Sequence, residues 1–158
     1  METTTLRYRD DALEIVSRGR VFGNRWFSTP AHEAFEELRV RQHRLVEQLG
    51  DGRHVVLSVL EPSVGLRVDE QTRRGAAVLA GEMRAKTIAL GQLIRGQGFF
   101  ASASRAVLSG VILAARPGYP ARVFGNESEC LAWLIEQLEQ EFPGTGDDVG
   151  EVLDVLSR

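Results

Sequence analysis

Three histidines, one cysteine and a glycine-bounded turn are the features of this 158-residue chain whose residue types could do chemistry. Histidines would bring a metal site or acid–base work, but their spacing does not gather them. His32 and His43 are eleven residues apart in one helical segment, so about 16 Å of helical rise separates them. No fixed ligand spacing ties His54 to either. Cys130 stands alone, which excludes an intramolecular disulfide framework and a multi-cysteine zinc site. Among Glu129, Leu131 and Trp133 it reads as a packing thiol. The RGQG turn, Arg95 to Gly98, follows an apolar strand and precedes a helix, where unpaired N–H groups can attract an anion. It lacks the Walker lysine–hydroxyl pair and the full dinucleotide glycine pattern. It therefore reads as a tight turn, with a small ligand or substrate held there as the alternative. Glu33, Glu36 and Glu37 precede Arg39, Arg41 and Arg44, an order that suits the helix dipole and i,i+4 pairs such as Glu37–Arg41. No nucleophile–base constellation emerges from these residues. The expectation is a protein that is not an enzyme and that uses neither metal nor cofactor.

The elements that would position these residues follow from periodicity. Leu6–Arg9 and Ala12–Ser17 alternate as two strands about Asp10–Asp11, and Val21–Phe27 continues as a third extended piece. Thr29 and Pro30 form a helix-start pair, after which Phe35, Leu38, Gln42, Leu45, Val46 and Leu49 share one side. Gly50–Asp51–Gly52 stops that helix. Val55–Leu60 and Thr87–Ile94 are short apolar strands, separated by a helix at Glu70–Arg84. Tyr119–Phe124 is a last strand, and Asn126 with Glu129 caps a helix carrying Leu131, Leu134, Ile135 and Leu138 inward. Strands alternating with helices predict a mixed, largely parallel sheet flanked by helices, with an antiparallel amino-terminal portion. Residues 1–142 form one domain in this reading, and 143–158 a flexible tail with a short helix at Val149–Leu156.

The remaining helix, Phe99–Arg116, is apolar around far more than one face. Ser102, Arg105, Ser109 and Arg116 fill a narrow polar wedge. Phe100, Val107 and Val111 are expected against the sheet, which leaves Leu108 and Ile112 as outward interface candidates. Ala103, Ala106 and Gly110 would let a partner approach closely. Three serines and Arg105 keep the segment below the roughly 18 apolar residues of a membrane span. Peripheral contact with a membrane surface is an alternative use of its wide apolar face. A net charge of −3 gives no general attraction for nucleic acid. The start of the chain shows no secretory pattern, so the cytosol is the expected location. The expected partner is another protein or a second copy of the chain.

The segment YPARVFGNESECLAWL, Tyr119 to Leu134, combines a strand entered through proline, an aromatic strand end and an acidic helix with alanine and tryptophan. With the element order over Leu6 to Glu141, it resembles the small α/β fold of STAS domains and, more closely, the SpoIIAA-like proteins. That resemblance implies a mixed sheet of roughly four or five strands, used for regulated protein contacts rather than catalysis. Related bacterial anti-anti-sigma factors place a phosphorylatable serine after a central strand. By that resemblance Ser63, in EPSVGLRVDE after Val55–Leu60, is the implied phosphorylation position. It follows proline here, whereas the family has Asp-Ser at the entrance to the next helix. Ser58 reads as internal to its strand.

Overall fold

The computed structural model describes residues 3–61, 64, 67 and 69–158, with backbone alone at 111, 114 and 115. The implied phosphorylation position, Ser63, lies outside the described residues. Strands β1 (Thr5–Arg9), β2 (Leu13–Arg18), β3 (Val21–Trp26), β4 (His54–Leu60), β5 (Thr87–Ile94) and β6 (Ala121–Phe124) form one sheet in chain order. The β1–β2 and β2–β3 pairs are antiparallel, whereas β3–β4, β4–β5 and β5–β6 are parallel. The sheet is thus wider than the resemblance implied, because the antiparallel portion contributes β1 and β2 beside a parallel block of four.

Helices α1 (His32–Leu49), α2 (Glu70–Met83) and α3 (Phe99–Ala115) connect successive parallel strands. All three crossovers step across the sheet in one direction, and a single handedness for such connections puts the three helices on one face. Helices α4 (Glu127–Glu141) and α5 (Asp147–Leu156) then cover the other. Period-two alternation divides β4 between the two cores. Val55, Leu57 and Val59 meet Cys130, Leu134 and Leu138, while Val56 and Leu60 pack with Phe22, Trp26, Leu38 and Leu45. Burial on both faces explains why this strand reads as an unbroken apolar run.

Two glycines set how closely the second layer lies. A Cβ at Gly23 would come within 2.4 Å of Val152 Cγ1, and one at Gly91 within 2.8 Å of Leu134 Cδ1. Glycine in β3 weakened that strand's sequence signal, yet it is what admits α5.

Residues 143–158 are therefore not a flexible tail. Val149, Val152 and Leu156 are fully buried in the core that contains Val16 and Val21. Arg18 Nε donates to Asp148 Oδ1 at 2.9 Å, and Arg25 Nη1 to the Leu156 carbonyl at 2.9 Å. Ten residues are too few for an isolated helix, so its stability comes from docking.

The start of α1 also differs from expectation. Ala31 is the N-cap, without a side-chain cap, and Thr29–Pro30 precede the helix. Asn126 caps its helix as read, accepting from Glu129 N, and Asp69, which the sequence did not single out as a cap, accepts from Thr72 N.

Candidate functional site

Helix α3 carries the four most exposed large apolar side chains among the described residues. Phe99 is 85% exposed, Phe100 81%, Leu113 80% and Val107 56%. The two phenylalanine rings meet edge to face with centroids 6.5 Å apart. Ser102, Ala106, Ser109 and Gly110 are exposed between them and Leu113. Contiguous apolar exposure of this kind marks contact surfaces more often than chance decoration.

The rotation of α3 is the reverse of the sequence reading. Phe100 and Val107, expected against the sheet, face out. Leu108 is half-buried against the Leu60–Ile94 core, and Ile112 is half-buried. Ala101, at 2% exposure, lies on the same inward side. The reason is Arg105, which the sequence pattern sets in the narrow polar wedge. Its Nη1 donates to the carbonyls of Ile94 and Gly96, both at 3.1 Å, so the guanidinium caps the end of β5 and turns residues 101, 108 and 112 inward with it. The helix ends at Arg116, whose φ of 46° places it in the left-handed region, where glycine is the usual choice. Beyond it Ile112, Leu113, Tyr119 and Pro120 line a shallow hollow.

Arg105 also ties the RGQG turn to the body of the domain. Two carbonyls at its mouth are already satisfied from within the chain. Arg95 is drawn to Glu127 Oε1 at 2.8 Å and donates to Ser157 Oγ at 2.7 Å. Gly96 and Gly98 adopt φ of 107° and 101°, so they serve the turn itself.

The histidines stay apart. His43 Nε2 meets Glu82 Oε2 at 2.6 Å, and Arg39 donates to Glu82 Oε1 at 2.7 Å. These contacts join α1 to α2 and hold the Glu82 carboxyl at about 2, with the Arg39 hydrogen bond the larger cause and His43 the next. His54 is fully buried. Its Nδ1–H donates to the Gly52 carbonyl at 2.8 Å, which leaves Nε2 to accept from Gln42 Nε2 at 3.0 Å. Among the described residues no group of three or more His, Cys, Asp or Glu side chains could hold a metal ion. Cys130 is fully buried, and burial, with Glu127 adding to it, pushes its thiol up to about 12. Such a thiol is an inert packing group at neutral pH.

Desolvation is the main cause lowering the pKa of His54, with Arg53 adding to it and the Gly52 hydrogen bond opposing. The unfolded chain therefore takes up a proton at His54 before the folded one does. Stability from this residue is full above about pH 6.5 and declines below it, until the lower folded value is reached. The wild-type urea midpoint will fall from pH 7.5 to pH 5, and His54→Gln will show a smaller fall. Equal falls in the two proteins would refute the assignment.

A row of buried polar side chains escaped sequence reasoning. Asn24, Ser58 and Gln92 lie side by side on β3, β4 and β5. Ser58 Oγ donates to Asn24 Oδ1 at 2.7 Å, and Gln92 Nε2 donates to Ser58 Oγ at 3.1 Å. These bonds satisfy Ser58 inside the sheet, as its place in the strand suggested. Each residue looks unremarkable within its own strand, and only the register joins them.

The strand order, the single-sided crossovers and the helices closing the opposite face define a mixed α/β domain with a SpoIIAA-like fold. A solved structure with this fold is that of an uncharacterized protein from the DUF3478 family, from Shewanella loihica PV-4. It is similar at a TM-score of 0.52 and 15% identity, over 85% of this chain and 99% of that one. At that identity the likeness shows the fold. No family model matches the chain, and no curated protein matches it. Among the described residues no helix is long and apolar enough to cross a membrane.

Proposed function

We propose that this chain is a non-enzymatic regulatory module that acts by protein contact, with the outer face of α3 as its contact surface and self-association as its simplest use. The observation that supports this reading is the exposure of Phe99, Phe100 and Leu113, each 80% or more, on one helix. Removing any one of them fully from water would contribute about 1.5–3 kcal/mol before ordering costs. The SpoIIAA-like fold agrees with contact rather than catalysis. Leu108 and Ile112, the interface residues expected from sequence, lie on the inward side of α3 and are not part of this surface.

The test is mass in solution across a concentration series. The wild-type chain will shift toward dimer as concentration rises. Leu113→Asp will weaken that association by tenfold or more, since about 1.4 kcal/mol suffices for that factor. Its far-UV spectrum and unfolding midpoint will stay unchanged, because Leu113 is outside the core. A wild-type chain that remains monomeric at the highest concentration would overturn self-association.

A further inference from the structure

We propose that the cleft between the β1–β2 hairpin and α1 binds a small monocarboxylate that carries a hydroxyl group at its far end. This cleft lies at the opposite edge of the sheet from α3 and is independent of the contact surface there. It encloses about 40 Å³ and is walled by Leu6, Ile15, Phe22 and Leu45. Ser17 forms its floor. Leu13 and Ile15 point toward α1, so period-two alternation turns Ser17 the same way, between its cross-strand partners Leu6 and Phe22. The residue is 9% exposed, and its hydroxyl, open to the cavity, makes no hydrogen bond with any described residue. A hydroxyl so placed takes its partner from whatever fills the cavity.

The mouth supplies the charge. Arg44 and Gln48, one turn apart on α1, both line it and are exposed. The other two arginines around the cleft are committed elsewhere. Arg7 donates to Glu14 Oε2 at 3.3 Å, and Arg41 Nε to Glu37 Oε1 at 2.7 Å. Arg41 also lies over the Tyr8 ring at 4.0 Å, and the Tyr8 hydroxyl donates to Asp10 at 2.8 Å. Arg44 makes no ion pair with any described residue, which leaves one uncompensated cation, a match for a single negative charge rather than a phosphate dianion. A carboxylate driven to the floor would meet one hydroxyl and four apolar walls, at a high desolvation cost. The carboxylate therefore stays at the mouth with Arg44 and the Gln48 amide, a short methylene stem crosses the apolar walls, and the far hydroxyl meets Ser17. Room for about three waters is bounded mostly by apolar side chains, so displacing poorly bonded water favours such a ligand.

Backbone amide NMR of the full chain, titrated at constant ionic strength with 3-hydroxypropionate and with propionate, tests the site. Saturable shifts are expected at Leu6, Ser17 and Phe22. The hydroxy acid will bind about fivefold more tightly than propionate, the worth of one hydrogen bond. Ser17→Ala will abolish that preference while propionate binding persists, and Arg44→Gln will weaken both acids by about threefold. Absence of saturable shifts at these amides would overturn the proposal. So would equal affinity of the wild-type chain for the two acids, a comparison that needs no variant to fold. A folded Ser17→Ala protein that still prefers the hydroxy acid would overturn it as well.

Discussion

A chain ending at Phe142 will lose its cooperative unfolding transition, although the missing residues lie outside the region where strands and helices alternate. The loss removes Val149, Val152 and Leu156, all fully buried, and Leu153, which is 6% exposed. At about 1.5–3 kcal/mol for each such side chain, the total is roughly 6–12 kcal/mol as an upper estimate. A domain's entire stability is of the order of 5–15 kcal/mol. The ion pair between Arg18 and Asp148 and the hydrogen bond from Arg25 to Leu156 go as well. Urea unfolding followed by near-UV circular dichroism is the measurement. The shortened chain will show a broad, low-midpoint transition, or none, together with binding of a hydrophobic dye. An unchanged midpoint would show that α5 contributes little to the core it covers.

The second large effect lies across the same layer, where α4 meets β5. Leu134→Ala will cost about 2–5 kcal/mol, because its side chain is fully buried and its neighbours close only partly over the cavity. Gly91→Ala will also destabilise, by about 1–3 kcal/mol. Its new methyl group would stand 2.8 Å from Leu134 Cδ1 and 3.2 Å from Cys130 Sγ. The two substitutions together will cost less than their sum, since the methyl enters space that the leucine vacates. A coupling of about 0.5–3 kcal/mol is the expected size for residues in contact. Denaturant unfolding of the four proteins of the cycle measures it. Costs that add to within about 0.5 kcal/mol would mean that Gly91 is not what sets the α4–β5 spacing.

Most of the fold was legible because it is written in local periodicity. The apolar run at Val55–Leu60, the Asn126 cap and the glycine stop after Leu49 each identify an element from a few adjacent residues. Alternation of strands with helices then implied a largely parallel sheet. What local signals could not carry was position in space. The segment at 149–156 reads as marginal because helix propensity is all that eight residues can show. Its partners, Val16 and Val21, lie more than a hundred residues earlier. Gly23 reads as a strand breaker until Val152 is known to stand above it.

The candidate surface was legible as a segment but not as a face. Composition showed that Phe99–Arg116 holds more apolar surface than one contact needs. Arg105 in the polar wedge reads as a surface group, and that reading turns the helix around. An arginine beside free carbonyls at a strand end is a hydrogen-bond donor before it is a surface group. No pattern in the sequence announces that Ile94 and Gly96 present those carbonyls. Glu14 makes the same point: it is 1% exposed, yet its alternation with Leu13 and Ile15 suggests a solvated position. Arg7 at 3.3 Å and Arg9 at 3.9 Å, on the neighbouring strand, are what accompany it.

The docking of α5 on β2 and β3 also has a kinetic side. Each of the crossovers through α1, α2 and α3 closes over a short stretch of chain, so the parallel half of the sheet can assemble from nearby parts. The Arg18–Asp148 contact spans 130 residues, and the apolar side of Val16 and Val21 stays bare until that long loop closes. Contacts of such separation form slowly, and unfinished sheet faces are sticky while they wait. The step that completes this core is therefore expected to be the slow one in refolding, with a rate set by loop closure rather than by the strength of the packing that follows.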